Sequence, residues 1–228
     1  MLYGYGQIIW LGSQITIQLA LCSVGVAILL GLLGATAKLF GSRPLALLSD
    51  CYTALIRGVP DLVLMLLLFY GLQIGVNAIT EHFGWAQWDI DPFIAGVVTI
   101  GFIYGAYFTE TFRGAFMAVP KGQLEAGVAY GFTPWQVFRM ILFPQMMRFA
   151  LPALSNNWLV VLKSTALVSL IGLADVVKVT QDAGKGTYHF FFFTIVAAAI
   201  YLMLTTLSNL VFFWLERHYA MGQRRAGL

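Results

Sequence analysis

The chain is 228 residues long, 60% hydrophobic and only 10% charged, with 13 Lys and Arg against 10 Asp and Glu for a net charge of +3. A soluble domain carries about 25% charged residues, so the charge here is too sparse to cover a water-facing surface, and the composition selects a polytopic membrane protein. The small basic excess contains no basic run that would point to nucleic acid; it fits Lys and Arg retained on the cytoplasmic side of a bilayer.

The chain opens "MLYGYGQIIW", with no basic n-region and an apolar run too long for a cleavable signal, so the first segment is expected to remain as a span. A bilayer crossing needs roughly 20 apolar residues, and five segments qualify: 7–37, 52–80, 92–117, 149–173 and 190–214. The first has no charged residue. The second opens at either Tyr52 or Pro60. Lys38 and Arg43 follow the first segment, Lys121, Arg139 and Arg148 the third, and Arg217, Arg224 and Arg225 the fifth; the loop after the second, "EHFGWAQWDIDP", has acids and no Lys or Arg. This bias predicts the N-terminus outside and the C-terminus in the cytoplasm. "WAQW" (Trp85, Trp88) and "YHFFFF" (Tyr188 to Phe193) suit an interfacial aromatic belt. "ADVVKVTQDAGKGT" (Ala174 to Thr187) is half apolar, as a short helix on the outer face would be.

Between the third and fourth segments, 121–144 reads as two short helices. Gly122 to Tyr130 forms the first, with Glu125 standing off an apolar side. Gly131 ends it by adopting positive φ without steric strain. Thr133 is a good N-cap and Pro134 a good N1 residue for the second, Trp135 to Phe143, which Pro144 stops or hands to the next element.

Charged groups inside a span cost about 2.5–3.5 kcal/mol on insertion scales and mark a pathway or a paired site. If the second span starts near Tyr52, Asp61 lies roughly 14 Å from its inner end; Glu110 lies roughly 10 Å from the inner end of the third. If Pro60 starts the helix, Asp61 occupies a first turn that favours acids. Glu110 and Arg113, spaced i, i+3, suit an internal ion pair, and Tyr107 shares their face. Lys163, expected near the middle of the fourth span, either neutralises Glu110 or Asp61 or meets a substrate carboxylate. Asn156 and Asn157 line a polar pocket or bond backbone. Arg57 reads as an interfacial arginine.

The segment "EAGVAYGFTPWQVFRMILFP" carries Glu125, Ala126, Gly127, Gly131, Ile141 and Pro144 at the offsets of the EAA loop of bacterial ABC-importer permeases, with Gly127 for the second alanine and Phe143 for the leucine before proline. Together with "IRGVPDLVLMLLLFYGLQ", "GFIYGAYFTETFRGAFMAVPKGQLEAG" and "LPALSNNWLVVLKSTALVSLIGLADVVK", it resembles the polar amino-acid permease subfamily, over nearly the whole chain and in particular its histidine/lysine/arginine/ornithine members; arginine and opine permeases look much the same. The resemblance implies an all-α polytopic membrane protein of the MetI-like ABC permease fold, with five transmembrane helices in a single domain, N-terminus periplasmic and C-terminus cytoplasmic, in the bacterial inner membrane. It implies that Glu125, Ala126, Gly127, Gly131 and Pro144 couple the chain to a cytoplasmic ATPase. "YFTETFRG" matches a pathway-lining segment, which assigns Glu110 to the substrate ammonium and lets Tyr107 pack on the substrate. Asp61, where many relatives for neutral amino acids have an apolar residue, points to a basic substrate.

No phosphate-binding Gly-rich loop, metal-ligand spacing or Ser/His/Asp arrangement is present, and His82, His189 and His218 are isolated. The expectation is a non-enzymatic permease, with no cofactor of its own and with ATP and Mg held by a partner ATPase. The implied partners are a second homologous permease subunit, giving a heterodimer, the ATPase dimer, a periplasmic substrate-binding protein, membrane lipid and an amino acid. The rival readings are an ion-coupled secondary transporter, for which an internal repeat is missing, an opine permease, and a membrane scaffold.

Overall fold

The computed structural model describes residues 2–219, so Arg224 and Arg225 of the tail lie outside the described residues. The elements are α1 (Gly6–Phe40), α2 (Arg43–Gly58), α3 (Asp61–His82), α4 (Pro92–Met117), α5 (Lys121–Ala129), α6 (Pro134–Val137), α7 (Phe143–Ser164), α8 (Val176–Thr187) and α9 (Phe190–Tyr219). No strand occurs among the described residues. Five helical segments are long and apolar enough to cross a membrane: α1, α3, α4, the run Pro134–Ile171 and α9.

The core is the pairing of α1 with α4. Thr16, Ala20, Ser23, Ala27, Gly31 and Ala35 form a buried stripe along α1. At Gly31 a side chain would run into Phe108 of α4, and at Gly101 of α4 it would run into Val26 of α1. Small residues on facing helices let the two backbones approach, which is how helices associate where lipid removes the hydrophobic drive. Asp91 starts α4, accepting from the Phe93 and Ile94 amides at 2.9 and 3.0 Å, with Pro92 at N1.

Of the two starts the sequence left open for the second span, Tyr52 and Pro60, the structure has the second: α2 stops at Gly58, and the crossing helix begins at Asp61 with Pro60 as its N-cap. Pro60 lacks an amide hydrogen and would clash with the preceding turn, and it holds Val59 extended at φ −118°, ψ 141°. Asp61 therefore sits in a first turn, not deep within a continuous helix. Pro144 falls in the first turn of α7, as a proline that starts the next element should, but that element follows the one before it without a gap. Residues 138–142 form a π-turn in which the Phe143 amide bonds the Phe138 carbonyl, five residues back. The wider register takes up the missing proline donor, so the chain runs from α6 into α7 without a break. The helical run that contains the segment expected at 149–173 begins well before it, at Pro134, and ends in a 3₁₀ turn at 165–171.

Beyond that turn, Gly172 takes φ +98°, and Asp175 caps α8, its Oδ1 accepting from the Lys178 amide at 2.9 Å. Thr16 of α1 accepts from the Val176 amide at 3.1 Å, tying α8 to α1. Asp175 is fully buried, and its Oδ2 has no hydrogen-bond partner among the described residues. Burial pushes its carboxyl up to about 6, against the opposing pull of the backbone amides it accepts from.

Candidate functional site

Two polar clusters converge where the C-terminal ends of α1, α2 and α7 and the start of α3 meet α4. The first is centred on Lys38, in the last turn of α1. Its ammonium is 6% exposed and donates to Glu110 Oε1 at 2.6 Å, Thr53 Oγ1 at 2.6 Å and Asp50 Oδ1 at 2.8 Å. Three acceptors match its three N–H groups, which is what a cation removed from water requires. Glu110 is held on its other oxygen by Arg113, whose Nε and Nη2 lie 3.0 and 2.9 Å from Oε2. The cluster faces an open cavity of ≈ 530 Å³ lined by Lys38, Asp50, Thr53, Arg57 and Glu110 among others.

The second cluster is built on Tyr104, buried on α4. Its hydroxyl lies 2.7 Å from Asp61 Oδ2 and 2.6 Å from Ser164 Oγ. An ionised carboxylate only accepts, so Tyr104 donates to Asp61 and Ser164 donates to Tyr104. Tyr107, one turn on, stacks near Tyr104 with ring centroids 5.5 Å apart and has the Arg57 guanidinium 5.6 Å above its ring. On the same side of α4, Thr111 accepts from the Asn157 amide at 3.0 Å. The two clusters are joined through α4 and through Arg57, which borders the cavity of the first and covers Tyr107 of the second.

The structure thus brings Asp61, Tyr107, Glu110 and Asn157 to one seam around α4. Lys163 lies in the last turn of α7, just before the 3₁₀ turn that closes the helical run Pro134–Ile171. It is exposed and forms no ion pair among the described residues. Glu110 is paired by Arg113, as the i, i+3 spacing predicts, and also by Lys38, which the sequence places among the loop cations. A signal for this existed: Lys38 follows Ala35 by three positions and so continues the small-residue face of α1 toward α4. Tyr104 and Ser164 carry no such signal, since neither is charged and their contact joins distant segments.

On the far side of Val119, α5 and α6 form a bent pair. Glu125 and Ala126 are exposed, whereas Gly127 is buried. A side chain at Gly127 would lie 2.5 Å from Ile141 Cδ1, so glycine lets α5 rest on the π-turn. Gly131 takes φ +83°, and Thr133 closes a capping box with Gln136. Val128, Tyr130 and Trp135 are exposed beside Glu125, leaving an apolar surface with an acid on it. Among the described residues no group of His, Cys, Asp and Glu is arranged to hold a metal.

The profile of the family described as binding-protein-dependent transport system inner membrane component matches residues 27–221. The histidine/lysine/arginine/ornithine transport system permease protein HisQ of Escherichia coli is 61% identical over 228 residues, covering all of both chains. The nopaline transport system permease protein NocQ of Agrobacterium fabrum is 38% identical, over 97% of this chain and 94% of that one. Among solved structures, an amino acid ABC transporter crystallised with histidines superposes with a TM-score of 0.79 at 33% identity, over 94% of this chain and 95% of that one.

Proposed function

Because the chain belongs to the binding-protein-dependent transport system inner membrane component family, we propose that it forms one half of the pathway of an ATP-driven importer for basic amino acids. Histidine, lysine, arginine and ornithine are the substrates printed for its 61% identical relative. The chain would lie N-terminus out and C-terminus in, as the basic bias of its loops favours. A second, homologous permease subunit would complete the pathway. A cytoplasmic ATPase pair would bind ATP and Mg, and a soluble binding protein would deliver the amino acid from outside.

The observation that carries the substrate reading is the placement of Asp61. Among the described residues only its Oδ2 is hydrogen-bonded, by Tyr104, and the ring of Tyr107 lies beside that same tyrosine. A carboxylate with an oxygen to spare, next to an aromatic face, suits a guanidinium or ammonium side chain. In this reading Asp61 meets the cationic end of the substrate, Tyr107 packs on its stem, Glu110 takes the α-ammonium, and Lys163 and Asn157 face the carboxylate.

The bent pair α5–α6, with Glu125, Ala126, Gly127 and Gly131 and the continuation through Pro144, is the mechanical link. Because α6 runs through the π-turn into α7, a push on the exposed pair is delivered to a crossing helix along one backbone. The ATPase shifts the pathway only as far as its two states grip this element differently.

Reconstitution tests the reading. Vesicles containing the permease pair, the ATPase and the binding protein should accumulate arginine only when ATP is supplied. Uptake driven by a proton or sodium gradient without ATP would establish the secondary-transporter alternative instead.

A further inference from the structure

We propose that Lys38 is a built-in stand-in for the substrate α-ammonium: it occupies Glu110 Oε1 in the substrate-free permease and must be displaced for an amino acid to bind. The proposal rests on the assignment of Glu110 to the α-ammonium and adds to it what fills that position beforehand.

The geometry is that of a primary ammonium in a receptor. Lys38 Nζ meets Glu110 Oε1, Thr53 Oγ1 and Asp50 Oδ1 at 2.6, 2.6 and 2.8 Å. An α-ammonium has the same charge and the same three donors. The two oxygens of Glu110 are held differently. Oε2 takes two nitrogens of Arg113, its neighbour one turn along the same helix, and so keeps the carboxylate oriented. Oε1 is held, among the described residues, only by a cation on a flexible stem from another helix. Glu110 and Lys38 both line the ≈ 530 Å³ cavity, so an incoming amino acid reaches this oxygen from open space. The Lys38 ammonium, when released, still has Asp50, whose side chain is 64% exposed and accessible to water.

Two consequences follow. Glu110 Oε1 is not left bare within the bundle before the substrate arrives, which would be costly even with Arg113 on the other oxygen. The apparent affinity for substrate falls by the fraction of molecules in which Lys38 has already let go, so removing Lys38 tightens binding of any ligand that uses Glu110 Oε1.

The test compares arginine with argininic acid, which has a hydroxyl in place of the α-amino group and keeps the guanidinium and carboxylate. Equilibrium binding of each is measured on the assembled importer without its binding protein; the component lost in Asp61→Asn, which both ligands use through the guanidinium, defines binding at this subunit, and the component of arginine binding lost in Glu110→Gln defines the ammonium contact. Lys38→Met is expected to tighten arginine about tenfold and leave argininic acid within about twofold, and Thr53→Val, which removes one anchor of Lys38 while keeping side-chain volume, to tighten arginine about threefold. Should Lys38→Met fail to assemble, Thr53→Val decides. Unchanged or weaker arginine binding, or equal shifts for both ligands, would show Lys38 to be a structural tie and overturn the proposal while leaving the substrate reading in place. No Glu110-dependent arginine binding in any form, wild type included, would remove the substrate assignment and the proposal with it.

Discussion

Asp61 and Ser164 meet on a single atom, the hydroxyl oxygen of Tyr104, at 2.7 and 2.6 Å. The relay ties the first turn of α3 to the last turn of α7 across the buried face of α4. Because Ser164 ends α7 just where the chain tightens into the 3₁₀ turn, the relay also fixes the point from which the exposed Lys163 projects.

Tyr104→Phe removes the shared hydroxyl and leaves both partners short of a bond. The expected cost is about 1–3 kcal/mol, read as a lower unfolding temperature of the purified complex. An unchanged midpoint would mean that the relay contributes nothing to holding α3 and α7 against α4.

Asp61→Asn keeps an acceptor for Tyr104, so the unfolding midpoint should stay close to wild type. Arginine transport should fall roughly tenfold or more, the scale of a lost charge-assisted bond, while transport of a neutral amino acid such as glutamine changes far less. Equal loss for both would assign Asp61 to structure alone.

Gly127→Ala places a methyl against Ile141 Cδ1, at the contact the glycine now permits. Cδ1 is the free end of a flexible side chain and can swing aside, and the loop this segment resembles has an alanine here, so the change should cost no more than about 1 kcal/mol and leave ATP-driven uptake close to wild type. A large loss of uptake would show that Ile141 cannot give way and that the contact requires glycine.

The buried carboxyl of Asp175 gives a pH signature. Its affinity for a proton is higher in the folded chain, about 6, than its ordinary value of 3.8. The native state is therefore favoured as pH falls through 6 toward 4, and this advantage is lost as pH rises through 6. A melting curve taken from pH 7 to pH 5 should show a rise in stability that Asp175→Asn, which keeps the cap acceptor, flattens. An identical slope in the variant would place the pH dependence elsewhere.

How much of this was legible in the sequence depended on the range of the interaction. Long apolar runs marked the crossing helices because lipid demands them. Gly131, Thr133 and Pro134 marked the bend between α5 and α6 because turn and cap chemistry is local. Pro144 marked the start of α7, but the π-turn that joins α7 to α6 without a gap left no local signal. Lys38 misled, because a lysine at the end of an apolar run reads as a loop cation, and only its alignment with the Gly31–Ala35 face turns it inward. Which carboxylate it meets is a matter of how α1, α2 and α4 come together, and no spacing in the chain encodes that.

The proposed mechanism requires α5 and α6 to lie in the cytoplasm and to be gripped there by the ATPase. Glu125→Cys, in a chain carrying Cys22→Ala and Cys51→Ala, provides one exposed thiol on that element. A membrane-impermeant maleimide should label it in inside-out vesicles and leave it unlabelled in right-side-out ones, and the assembled ATPase should protect it. Labelling from the outer face, or labelling from the inner face that the bound ATPase does not diminish, would contradict the account.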